Sequence, residues 1–258
     1  MDIVSRRGRR RRAGGSAQYG QNSSGGGSVV VGTLSTADEP RQAWIAELDE
    51  AGEVLRERVF AGTHGSASLT KVALLPSGGC VVGLSLEDDA AESPVFRAGL
   101  VWLDADLLPT QSAELGLGCA SASIAELAPL RNEGSGPFAV RVEVATCAAS
   151  GFAEIQRVDS DGFVGWRHRI VRGLGGAAFG PSEVTALPGG QIAVTLRPRS
   201  GGKASRVLLD AEGIVMPGSR GEGSCEDNPA AALLMSPLGG FPTRPLVFEL
   251  RLRSDRAR

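Results

Sequence analysis

Histidine and lysine are nearly missing from this sequence of 258 residues, which holds only His64, His168, Lys71 and Lys203. Two histidines far apart leave little material for general acid–base catalysis, and no third group beside either completes a triad. No Gly-x-Ser-x-Gly elbow occurs, so a serine nucleophile has no setting. The four cysteines, Cys80, Cys119, Cys147 and Cys225, show no Cys-x-x-Cys spacing, which argues against a zinc site. No cofactor is expected. No stretch approaches the ~20 apolar residues that span a bilayer. A basic N-terminus is followed by a Gly/Ser/Gln-rich stretch over residues 13–27 rather than an apolar one, so the chain as it stands is expected to carry no export signal.

What is abundant is glycine, with 36 residues, alongside 14 prolines. Long runs of helix formers are absent and aromatics are few. Many glycines in a folded chain mean many tight turns, which favours an all-β architecture. The net charge of −2 hides an asymmetry. Arg6, Arg7, Arg9, Arg10, Arg11 and Arg12 face only Asp2 in the first dozen residues, so the rest of the chain is acidic. An acidic body argues against nucleic acid as a partner of the folded part, and the arginine run reads as the start of a disordered tail.

Self-similarity is the strongest signal. Four segments each carry an apolar strand ending in Asp, a turn, and a second strand. They run over residues 44–54, 100–107, 154–164 and 206–215, and Asp49, Asp104, Asp159 and Asp210 are spaced by 55, 55 and 51 residues. A second hairpin, with Pro and paired Gly between apolar runs, recurs over residues 72–83 and 184–194. A degraded copy spans 124–144 and a half-copy spans 26–32. Each unit therefore has four short strands joined by tight turns. Such units repeating at ~40–55 residues fit propeller blades.

The expected fold is an all-β β-propeller of about four four-stranded blades, or a truncated larger propeller. Residues 1–25 form a disordered basic, Gly/Ser-rich tail and 26–253 the repeats. Strands two to four of one blade fall near 28–60, with complete blades near 71–115, 124–170 and 183–218. Residues 230–237 are expected to close the ring beside the N-terminal half-blade, and 246–253 read as a spare strand.

Gly26, Gly27, Gly32, Trp44, Leu48, Asp49, Gly52 and Val54, with Asp159, Gly162, Val164 and Trp166, carry a resemblance to a bacterial family of propeller proteins. Its unit runs Gly-Gly-hydrophobic-Val-x-Gly and then Trp-hydrophobic-x-x-Leu-Asp-x-x-Gly-x-Val-x-Trp. The resemblance covers most of residues 26 to about 215. It implies the propeller fold, no shared catalytic residues, and an exported or cell-surface location.

Asp159-Ser160-Asp161-Gly162 invites a calcium reading, but such a loop needs further acids at fixed offsets and none follows Gly162. A turn in which Asp caps its own backbone and Gly takes positive φ accounts for it. Trp44, Trp102 and Trp166 are expected in the core between blades, and His168 at a solvated edge or a blade contact. Thr63 and His64, in a connection leading into a blade, and Asp227 are the candidate ligand-facing loop residues. A hairpin of 124–130 with 138–146 sets Cys119 opposite Cys147, and a cross-strand disulfide between them is expected. The variable loops 85–97, 115–123 and 218–228 suggest a non-catalytic binding or scaffold module for an unknown protein or carbohydrate ligand. An enzyme with its site at the channel mouth, a hydrolase or lyase, and a fragment of a longer propeller are the alternatives.

Overall fold

Short runs of Val, Leu and Ile broken by Gly, Pro and Asp dictate short strands, because branched side chains fit a pleated surface and the breakers do not. A computed structural model describes residues 12–13, 18–21, 27–35, 40–62, 65–88, 95–115, 121–130, 138–146, 149–170, 183–196, 205–216 and 249–251. These residues contain no α-helix, and the protein is all-β. The chain divides into two compact units, Met1–Ile124 with Arg244–Arg258, and Ala125–Thr243.

The strands are β1 (Arg12–Ala13), β2 (Gln18–Gln21), β3 (Ser28–Ser35), β4 (Gln42–Leu48), β5 (Val54–Ala61), β6 (Ala67–Leu74), β7 (Cys80–Asp88), β8 (Val95–Leu103) and β9 (Pro109–Glu114). They continue with β10 (Ser121–Pro129), β11 (Phe138–Thr146), β12 (Ala149–Val158), β13 (Val164–Ile170), β14 (Glu183–Ala186), β15 (Ile192–Leu196), β16 (Ser205–Leu209) and β17 (Glu249–Arg251). Four open sheets result. The first has the order β1-β3-β4-β5-β17, with β2 also on β3; the second is β6 to β9, the third β10 to β13, and the fourth β14 to β16.

The central strands of the first two sheets are covered on both faces. Residues 43–46 of β4, 81–86 of β7 and 98–103 of β8 are all buried. On one face of the first sheet, Val31, Ile45 and Phe60 pack with Val82, Leu84 and Leu103 of the second. On its other face Val30, Trp44, Ala46 and Val59 form a separate cluster. In the second unit Leu130, Ile155 and Trp166 pack with Val184, Ile192, Val194 and Leu209. Trp44, Trp102 and Trp166 are all buried, as expected of core positions.

The four aspartates build the same turn. Their backbone N–H groups donate to the carbonyls of Glu53, Leu108, Phe163 and Ile214 at 2.8–2.9 Å, and their carbonyls accept from Gly52, Leu107, Gly162 and Gly213. The carboxylates of Asp49, Asp104 and Asp210 accept from the N–H groups of Glu53, Leu108 and Ile214. In the third turn Asp161 accepts from Phe163 instead. The turn needs a left-handed residue, and φ is +80° at Gly52, +81° at Gly162, +82° at Gly213 and +59° at Leu107. A bulge precedes three of the turns, at Glu47/Leu48, Trp102/Leu103 and Arg157/Val158.

Three expectations differ from what is found. The first sheet has six strands, not a half-blade of three. Arg12–Ala13 and Gln18–Gln21, inside the stretch read as a tail, pair with β3, whose valine-rich edge would otherwise be unpaired. β17, read as a spare strand, pairs with β5 through Glu249↔Ala61, Leu250↔Phe60 and Arg251↔Val59. The fourth sheet has three strands among the described residues, and its expected fourth is reduced to the bridge Leu209↔Val215. Pro217 follows soon after, and proline has no N–H to extend a ladder. Residues 230–237 lie outside the described residues.

Candidate functional site

Thr63, His64, Asp227, Cys119, Cys147 and Cys225 all lie outside the described residues. The strands flanking the expected disulfide are sheet neighbours: Cys119 precedes β10 and Cys147 follows β11. Among the described residues no group of three or more His, Cys, Asp or Glu is placed to hold a metal ion. Likewise, no described helix is long and apolar enough to cross a membrane.

The structure brings together a set of contacts that sequence reading did not anticipate. Each involves the strand after one Asp turn gripping the Asp turn of the following sheet. In the first unit, Arg56 of β5 donates from Nη1 to the Ala105 carbonyl at 2.7 Å and to Asp106 Oδ1 at 2.6 Å. Its Nε meets Glu47 at 2.7 Å, and Arg58 donates to the Asp106 carbonyl at 3.0 Å. In the second unit, Trp166 of β13 donates its indole N–H to the Ala211 carbonyl at 3.1 Å, joined there by Arg157 Nη1 at 2.8 Å. His168 Nε2 lies 2.7 Å from the Gly213 carbonyl.

These positions correspond. Arg56 and Trp166 each follow their turn aspartate by seven residues, and Arg58 and His168 by nine. Ala105 and Ala211 each follow theirs by one. A sequence signal therefore existed, a polar or aromatic donor at fixed offsets from the Asp. It was hidden because the residue types differ: arginine in one unit, tryptophan and histidine in the other.

His168 is therefore the contact rather than the solvated edge. Only 2% of it is exposed, and its ring centroid lies 4.9 Å from that of Trp166. A carbonyl can only accept, so Nε2 carries the hydrogen and the neutral ring leaves Nδ1 bare. Nδ1 is buried without a partner. Burial lowers the His168 pKa from the ordinary imidazole value, with the Gly213 carbonyl opposing that shift. Burial likewise pushes the Cys80 thiol up to about 12, with the Glu47 carboxylate adding to it. A thiol held neutral in this way is a core side chain, not a nucleophile.

A second buried polar pair sits on the alternate face of β12. Gln156 Nε2 donates to Glu154 Oε2 at 3.2 Å, and both side chains are buried. In the register Arg167 of β13 lies directly across from Gln156, and Arg169 across from Glu154.

The outer surface of the turns has its own character. The exposed large apolar side chains among the described residues are Val54, Leu55, Leu108, Phe163 and Ile214. Leu108, Phe163 and Ile214 each stand four residues after their turn aspartate, and Val54 and Leu55 begin the strand after the first turn. Glu50, Asp106, Asp161 and Glu212 are exposed beside them. An apolar tip flanked by carboxylates can meet a partner segment through apolar and charged contacts. In comparisons with known proteins, the chain matches no family model and no curated protein.

Proposed function

We propose that the chain is a β-propeller of about four blades acting as a non-catalytic binding or scaffold module, with a protein partner on the turn-bearing ends of its sheets. The propeller reading is supported by the recurrence of one turn and one bulge, and by the matching grips of Arg56 and Trp166 on the next sheet. It is also supported by strands buried on both faces, since a two-layer sandwich leaves its outer faces solvated.

The binding reading rests on the turn tips. Singly scattered surface leucines need no explanation, but exposed apolar residues repeated at one structural position do. Leu108, Phe163 and Ile214 are such a set, with Val54 and Leu55 beside the remaining turn. Their acidic flanks match a partner segment carrying apolar and basic groups. The same reading keeps Cys119 and Cys147 as a cross-strand disulfide, for which intact mass before and after reduction is the check.

The test compares partner capture by the native chain with capture by a triple variant, Leu108→Asp, Phe163→Asp and Ile214→Asp. Each change at these surface positions should cost about 0.5 kcal/mol. Loss of a specific partner with thermal unfolding still cooperative supports the assignment. Undiminished binding by the variant, or substrate turnover that His64→Ala abolishes, overturns it.

A further inference from the structure

We infer that His168 is an acid-sensitive latch within the second unit, releasing the Asp210–Gly213 turn of the fourth sheet from β13 when its ring takes up a second proton. Three observations carry this. The ring spans the contact, with Nε2 2.7 Å from the Gly213 carbonyl and its centroid 4.9 Å from that of Trp166. The seat is tight, since a Cβ placed on Gly213 would fall 2.9 Å from Nε2 and 2.7 Å from the Trp166 ring. The second nitrogen, Nδ1, is buried and has no hydrogen-bond partner among the described residues to receive a new N–H.

Among the described residues the charged neighbours do not supply that acceptor. On β12, Ile155 lies directly across from His168, and the adjacent Arg157 is a cation already engaged with the Ala211 carbonyl and with Asp159 at 3.3 Å. On β13, Arg167 alternates to the other face. In the turn, Asp210 Oδ1 is occupied by the N–H groups of Glu212 and Ile214, and the Glu212 side chain is exposed. Glu183 of β14 and Arg206 of β16 are exposed as well. A charge on the ring would thus be buried, with no hydrogen-bond partner for its second N–H, which the folded contact resists.

The sign follows from where the protons go. The detached turn leaves His168 in water with an ordinary imidazole pKa, whereas the docked state holds it lower. Between the lowered value and the ordinary one, only the detached state binds the extra proton. Docking is therefore complete above that window and weakens as pH falls through it.

With only two histidines in the sequence, the test is clean. Hydrogen exchange of the amides of β14, β15 and β16 is measured between about pH 7 and about pH 5.5, corrected for intrinsic exchange, where one coupled proton loosens docking by at most about tenfold per pH unit. The native chain should show that slope in β14 to β16 while β7 and β8 stay protected. His168→Gln keeps an N–H for the Gly213 carbonyl but cannot titrate, so its slope should vanish; His64→Gln should retain it. Flat protection in the native chain, or the same slope in His168→Gln, overturns the latch. Should His168→Gln fail to fold, the His168 ring titration by NMR decides: a midpoint at or above the ordinary imidazole value overturns the proposal, and one below it supports it.

Discussion

The two units solve one problem with opposite chemistry. In each, the strand that follows one Asp turn must hold the Asp turn of the next sheet, and in each the central acceptor is the carbonyl of the residue just after the aspartate. The first unit uses Arg56, whose side chain is 35% exposed. The second uses Trp166, which is 4% exposed, with His168 beside it. A guanidinium at the surface holds by charge and direction, and salt weakens it. An indole in the core holds mainly by burial, which salt barely touches. The same backbone geometry therefore gives one contact that is open to solvent and one that is sealed. The sealed one should carry more of the stability.

The largest break in this comparison comes from Trp166→Ala, which empties a core site shared with Ile155, Val184 and Leu209. We expect a loss of about 4 kcal/mol in urea unfolding of the second unit. Gly213→Ala should follow at about 3 kcal/mol, because it combines left-handed strain with intrusion on the Trp166 ring. Gly52→Ala makes the control. Its φ of +80° is nearly the same, but nothing lies within 4 Å of the added methyl group. It should lose only about 1 kcal/mol. Equal losses for the two glycines would mean that the turn of the fourth sheet is not seated on β13 as described.

How much of this was legible beforehand depends on which residues carry it. The strands of residues 44–54 and 72–83 could be read directly, since glycine and aspartate mark turns by their own backbone chemistry. The turn itself was also legible, with Asp capping and Gly at positive φ. The grips were not. Arg56 and Trp166 share an offset but no side-chain type, and a backbone carbonyl acceptor leaves no trace in sequence. The pairing of β17 with β5 was equally hidden, because strands nearly two hundred residues apart are joined by the fold and not by a local pattern. The candidate residues His64, Thr63 and Asp227 were chosen for loop position alone, and loop position carries no geometry.

Leu107 sharpens the comparison from another side. It occupies the position that glycine holds in the other three turns, at a φ of +59°. Left-handed backbone in a leucine is strained, yet Leu107 is 3% exposed and packs in the cluster with Val82 and Leu103. Burial therefore outweighs strain here. Leu107→Gly relieves about 1–2 kcal/mol of strain but loses a buried side chain, for a net destabilisation of about 2 kcal/mol. Stabilisation on this change would show that the side chain is poorly packed and the strain dominates.

The smallest effect should come from Arg56→Ala, and its salt dependence matters more than its size. The guanidinium makes three contacts, with the Ala105 carbonyl, Asp106 and Glu47. Asp106 is 73% exposed, so that ion pair is largely screened, and the carbonyl bond is the durable part. We expect a loss of about 1 kcal/mol at low ionic strength, shrinking as salt rises. Arg56→Lys keeps the charge but not the fork that reaches carbonyl and carboxylate together, so it should fall between the parent and Arg56→Ala. Trp166→Phe supplies the other half of the contrast. It loses the indole hydrogen bond while keeping an aromatic ring, and its loss should not change with salt. If both variants respond alike to ionic strength, then burial is not what separates the two units.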